Sequence, residues 1–286
     1  QDLYVAKYTR TGGLVWVKGF GAAQADYPAA LAVDSNDDVV ATGHLSAAGG
    51  DDDVFVAKLA GLDGATLWQH AYGGPATESD RGTGVATDAS GDVLLTGYFT
   101  GALNLGGIAL TSNGATDVFV VRLNGSDGTP AWARRFGSAG SEIPTALGMD
   151  AAGDLWLSGT FLDTTVDFGG GALTASGADV FLLKLGAAGN HIWSRSVTAS
   201  DTNWANGTLS VAPGGGVVVV GRFAGSLTTG APSPLVSAGG TDLFVARYDA
   251  TGQHVFSQHF GGAGGDWAVT VDARGDTVVV GGWFTG

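Results

Sequence analysis

Five short stretches of the chain alternate apolar and mixed positions: DLYVAKY from Asp2, DVFVAKL from Asp53, DVFVVRL from Asp117, DVFLLKL from Asp179 and DLFVARY from Asp242. Their β-branched and aromatic residues at period two predict strands. The stretches recur at spacings of 51, 64, 62 and 63 residues, so the chain reads as five copies of one unit. A second predicted strand follows each of them and carries an aromatic residue, Trp16, Trp68, Trp132, Trp193 or Phe256, beyond a Gly-containing turn such as LDGA or ATGQ. A further strand pair is joined by DSNDD, DASGD, DAAGD or DARGD, with Asp34, Asp88, Asp150 and Asp272 opening the turn. Its second strand runs VVATGHL, VLLTGYF, LWLSGTF, VVVVGRF or TVVVGGWF, through a glycine near its end.

Five units of four strands, with almost no helical periodicity, predict an all-β protein, a five-bladed β-propeller with four antiparallel strands per blade. The chain starts on the third and fourth strands of a unit (2–20) and stops after the first and second of another (266–284). The expected closure is therefore a 2+2 strand pairing of the N- and C-terminal segments. Read as one domain over 1–286, the blades fall at about 27–73, 81–137, 143–197 and 205–261, with the fifth formed by 266–286 plus 1–20.

The stretches AVDSNDDVVATG, DVFVAKL and LWQHAYGG, with counterparts in every unit, resemble the bacterial β-propeller repeat related to NHL repeats, often called SBBP. The resemblance covers essentially the whole chain and implies a secreted or cell-envelope bacterial protein. That family is commonly associated with seven blades; five are counted here.

Composition narrows the partners. Fifty glycines, 44% hydrophobic residues and a formal charge of −14 describe a core-forming, turn-rich, acidic chain. That sign repels phosphate backbones and anionic membrane surfaces, so no nucleic acid is expected. No apolar run reaches the ~18 residues of a membrane helix, so no membrane insertion is expected. Without cysteine there is neither a disulfide nor a thiolate metal site. No signal peptide is visible before Gln1, an expectation of either a removed leader or a segment of a longer chain. The turn aspartates read as turn formers rather than calcium ligands, because the spacing lacks a run of oxygen ligands. The unit at 212–216 reads APGGG, with Ala212 in place of the aspartate.

With strands ordered A to D outward from the axis, the A–B and C–D links are short turns on one face, and the B–C and D–A links lie on the other. The B–C connections 100–116, 162–178 and 224–241 each predict an inserted hairpin, whereas 46–52 is short and acidic. Loops on a rigid scaffold collect binding residues, so the long-loop face is the candidate functional face. Its D–A loops deliver Asp26, Tyr27, Asp80, Arg81, Glu142, Asp201, Trp204, Asp266 and Trp267, and the ends of the B strands add His44, Tyr98, Thr160, Arg222 and Trp283. These positions vary between copies. The repeated Trp16, Trp68, Trp132 and Trp193 instead read as packing between blades.

Aromatics beside carboxylates suit a polyhydroxylated ligand. The ligand-binding candidates are Tyr27, His44, Asp80, Arg81, Tyr98, Glu142, Trp204, Arg222, Asp266, Trp267 and Trp283. No cofactor or metal is expected. No G-x-S-x-G, P-loop or H-E-x-x-H pattern is present, and the acidic D–A residue recurs in nearly every copy, which suits a loop-forming role better than catalysis. The expectation is a non-catalytic, monomeric interaction propeller, extracellular or in the cell envelope. It engages a glycan, a protein or a neighbouring domain. The alternatives are a carbohydrate-active enzyme with axial carboxylates and a structural spacer.

Overall fold

In a computed structural model of the chain, residues 2–21, 24–46, 51–74, 78–162, 165–175, 177–200, 206–274, 277–283 and 285 are described, with backbone alone at 206, 267 and 269. All regular structure among them is β. Two compact units are present, residues 1–135 and 136–286.

In the first unit, β1 (Leu3–Tyr8) and β2 (Leu14–Phe20) form a two-stranded antiparallel sheet. A four-stranded meander follows, made of β3 (Tyr27–Val33), β4 (Val39–Ser46), β5 (Asp52–Leu59) and β6 (Thr66–Tyr72). A second meander contains β7 (Arg81–Thr87), β8 (Val93–Phe99), β11 (Asp117–Leu123) and β12 (Pro130–Phe136), interrupted by the hairpin β9 (Ala102–Leu105) and β10 (Ile108–Thr111).

The second unit repeats the plan. Strands β13 (Glu142–Met149), β14 (Leu155–Phe161), β17 (Asp179–Leu185) and β18 (His191–Ala199) form a meander around the hairpin β15 (Thr165–Asp167) and β16 (Ala172–Thr174). Strands β19 (Asn206–Ala212), β20 (Gly216–Phe223), β23 (Asp242–Tyr248) and β24 (His254–Phe260) form the next, around β21 (Ser226–Thr228) and β22 (Leu235–Val236). Strands β25 (Trp267–Arg274) and β26 (Thr277–Trp283) pair alone. The three hairpins predicted in the B–C connections are all present. That of β21–β22 adds to the outer edge of the preceding meander, where Thr198 pairs with Thr228 and Ala199 with Leu227.

Successive sheets within each unit stack face to face through apolar cores. Val40, Val56, Trp68, Phe99 and Phe119 fill one in the first unit, and Trp156, Leu182, Phe223 and Phe244 fill one in the second. Three of the four repeated indoles cross from one sheet to the next. Trp16 Nε1 donates to the Gly61 carbonyl (3.2 Å), Trp68 Nε1 to that of Gly125 (3.0 Å) and Trp193 Nε1 to that of Ala250 (3.2 Å). Burying the ring while satisfying its one donor is what a tryptophan needs between sheets.

In three of the sheets the glycine near the end of the B strand has a packing cause. Strands β3 and β7 carry a bulge after their second residue and β13 after its third, which brings a carbonyl over the neighbouring strand. A Cβ on Gly43, Gly97 or Gly159 would lie 2.1, 1.9 or 2.4 Å from the carbonyl oxygen of Tyr27, Arg81 or Ile143. Glycine there lets the inner strand close over its neighbour, and this fixes where the first residue of each A strand meets the B strand.

Candidate functional site

The registers turn the varying residues of the sequence into cross-strand pairs. Tyr27 pairs with His44, Arg81 with Tyr98, Ile143 with Thr160, Asn206 with Arg222, and Trp267 with Trp283. One pair stands at the same end of the two inner strands of each sheet, the end from which the long loops leave.

In the first unit these pairs join into one cluster. The Tyr27 ring, 46% exposed, stacks on His44 at 5.1 Å between centroids and an interplanar angle of 24°. Arg81 Nε donates to Asp52 Oδ2 at 2.9 Å, and Ser46 Oγ donates to Asp52 Oδ1 at 2.6 Å. Burial first, and the Arg81 charge second, hold the His44 imidazole below its ordinary range, so the ring is neutral at pH 7. Asp52 was missed in the sequence, where it reads as part of a short acidic loop. Its signal was position: it opens β5 directly after the shortest B–C connection.

The acidic D–A residues have a different role. Asp26, Asp80 and Glu142 are fully buried and Asp266 nearly so. Asp26 Oδ1 accepts from the Ser46 amide (2.9 Å), while Asp266 accepts from the Thr285 and Gly262 amides (2.8 and 2.9 Å). Glu142 accepts from the Ser138 amide (3.0 Å) and hydroxyl (2.6 Å). Each carboxylate ties the end of a B strand or its own loop to the start of an A strand. Asp80 is the exception in strength: neither oxygen reaches a well-directed donor among the described residues. Burial pushes its carboxyl up to about 7, against a smaller downward pull from the nearby Thr100 and Gly74 amides.

In the second unit Arg222 stands on β20 and Trp283 ends β26, 52% exposed. Trp267 contributes its backbone pairing to Trp283. Asp201 and Trp204 lie outside the described residues.

The opposite end of the sheets is built around the turn aspartates. Asp34 Oδ1 accepts from the amides of Asn36 (2.8 Å) and Asp38 (3.0 Å), Asp88 Oδ1 from those of Ser90 and Asp92, and Asp150 Oδ1 from those of Ala152 and Asp154. The second oxygen faces a cation on the C strand: Lys58 at 2.8 Å from Asp34, Arg122 beside Asp88, and Lys184 at 3.2 Å from Asp150. These carboxylates thus hold turn amides and a strand cation.

Successive four-stranded antiparallel meanders, stacked face to face with their loops divided between two ends, are blades of the β-propeller kind. No family model and no curated protein matches the chain. Among solved structures, it is similar to BamB from Moraxella catarrhalis, with 15% identity over 98% of this chain and 76% of that one at a TM-score of 0.44. It is also similar to the quinohemoprotein alcohol dehydrogenase ADHIIG from Pseudomonas putida HK5 (10% identity, 98% and 54% covered, TM-score 0.45). A third is the quinohemoprotein alcohol dehydrogenase from Comamonas testosteroni (10% identity, 98% and 62% covered, TM-score 0.43). The chain spans less than two thirds of either dehydrogenase.

One expectation is corrected at this point. The sequence was read as that of a protein without enzymatic activity, yet two of these similar structures are alcohol dehydrogenases.

Proposed function

We propose that the chain is an interaction propeller of a secreted or cell-envelope bacterial protein that engages a glycan through the face bearing its long loops. The cluster of Tyr27, His44, Asp52, Arg81 and Tyr98 carries this reading. It offers an exposed, stacked aromatic face for sugar C–H surfaces beside an ion pair for hydroxyl groups. In the second unit Arg222 and Trp283 stand at the equivalent inner-strand positions. Asp80, Glu142 and Asp266 shape the loops beneath them. A helix long and apolar enough to cross a membrane is absent from the described residues, in keeping with this placement.

The finer architecture belongs to the same proposal: five blades, the fifth completed by β25–β26 and β1–β2 from the two chain ends. Each end sheet leaves apolar side chains open. Tyr4 is 69% and Val17 59% exposed on one, and Val279 is 63% exposed on the other, as half-blades awaiting partners would be.

A glycan array read with the folded chain tests the function. Binding should fall roughly tenfold or more in Tyr27→Ala and in Arg81→Ala, the loss of one stacked or charged contact at a central position. Undiminished binding in both variants, or capture of a protein partner with no glycan retained, would replace this reading.

A further inference from the structure

An Asn-Gly or Asp-Gly step is able to close on itself. The glycine nitrogen attacks the side-chain carbonyl carbon, and a second residue without a Cβ leaves that approach open. The chain has five such steps, at Asp63, Asn113, Asn124, Asp127 and Asn206. The reaction needs the side chain and the glycine N–H both free to turn toward each other, and the fold treats the five steps differently.

Four are held. Asn124 Nδ2 donates to Thr129 Oγ1 at 2.6 Å, and the Gly125 amide donates to Asp92 Oδ1 at 2.9 Å. Asp63 Oδ1 accepts from the Ala65 amide at 2.9 Å, while the Gly64 amide donates to the Ala60 carbonyl at 2.9 Å. Asp127 Oδ1 accepts from the Thr129 amide and hydroxyl at 2.9 and 2.7 Å, while the Gly128 amide donates to the Asn124 carbonyl at 2.8 Å. Gly207 is buried within β19, in register with Gly221. The fifth step differs. Asn113 and Gly114 are both exposed, in the connection between β10 and β11. The main-chain amide of Asn113 donates to Asp117 Oδ2 at 3.1 Å, but neither its side chain nor the Gly114 N–H has a hydrogen bond among the described residues.

We infer that Asn113 is a site of spontaneous covalent modification, converting to aspartate and isoaspartate through a cyclic imide. The Gly114 nitrogen gives up its proton and bonds to Asn113 Cγ, the Cγ–Nδ2 bond breaks, and Nδ2 leaves with a proton as ammonia. Water then adds to one of the two ring carbonyls. Opening at Cγ gives aspartate, and opening at the main-chain carbonyl carbon gives isoaspartate, whose chain runs on through Cβ and Cγ. Either product places a new carboxylate four residues from Asp117. Isoaspartate also lengthens the main chain by one methylene beside Ser112. That residue closes the β9–β10 hairpin, donating its amide to the Gly101 carbonyl (2.7 Å) and accepting from the Gly101 amide through its hydroxyl (3.1 Å). The site lies at the loop-bearing end of its sheet and is independent of the glycan reading.

The test incubates the folded chain in mildly alkaline buffer beside the free peptide Thr111–Asp117, with peptide mapping by mass spectrometry and isoaspartate read by enzymatic carboxyl methylation. Asn113 should convert with isoaspartate as a product, and Asn124 should convert roughly tenfold more slowly or less, the factor that one retained hydrogen bond supplies. In denaturant, where those hydrogen bonds are gone, the two rates should converge. Gly114→Ala should slow Asn113 sharply, and it is compatible with the fold because Gly114 is not in the left-handed region. Equal rates at Asn113 and Asn124 in the folded chain, or an intact Asn113 once the peptide has converted, would overturn the site. So would a rate difference that persists unchanged in denaturant, since the selectivity would then come from local sequence. Conversion unaffected by Gly114→Ala would exclude the imide route. The comparison of Asn113 with Asn124 uses the parent chain and decides even where the variant fails to fold.

Discussion

Lys58 Nζ lies 2.8 Å from Asp34 Oδ2 with the two side chains only 5% and 0% exposed, and it donates at the same time to the Gly125 carbonyl of the next sheet at 3.1 Å. The approach to Asp34 is ionic rather than a directed hydrogen bond. A single ammonium thus ties a turn of its own sheet to the sheet stacked on it.

Removing the counter-charge should therefore be costly. Asp34→Asn leaves the ammonium buried without its partner and should lower stability by roughly 3–5 kcal/mol in denaturant unfolding. Adding Lys58→Met should recover part of that loss, since no stranded charge remains. Equal losses in the single and double variants would show that the two residues are not coupled.

The same turns set the acid limb of stability. Burial alone would raise the carboxyls of Asp34, Asp88 and Asp150, but hydrogen bonds to amides and side chains and the facing cations hold all three below the ordinary value of 3.8. A carboxyl depressed in the folded state contributes stability that is fully present above the ordinary value and is lost as pH falls through the depressed one. Melting curves in Asp34→Asn should accordingly lose part of the decline seen in the parent chain below about pH 4.

Asp80 works in the opposite sense. Its carboxyl is raised from 3.8 to about 7, so between those values the folded chain retains a proton that the unfolded chain has released. Its contribution to stability is greatest below the lower value, declines as pH rises, and levels off above about 7. Asp80→Asn should match the parent near pH 4 and exceed its Tm by ~2 °C or more at pH 8. A gain of equal size at both pH values would show that relieving the buried charge is not the cause.

Much of the architecture was readable because its causes are local. Period-two stretches mark the strands, D-x-x-G-D marks turns where an aspartate takes amides two and four residues on, and the inserted hairpins show as glycine-interrupted apolar pairs. Trp16, Trp68 and Trp193 were legible as packing because they recur at one position, although the carbonyl each of the three reaches lies 45 to 57 residues away.

The candidate site was legible as a set of positions, not as an arrangement. The sequence by itself determined the strands, the turns and the residues that differ between copies, since each follows from a few neighbouring side chains. Tertiary structure alone decided that Arg81 meets Asp52, 29 residues earlier, and that the D–A carboxylates are buried beneath the loops. Those outcomes depend on strand register and on which sheet stacks on which, and charges far apart in the chain acquire partners only when both are set.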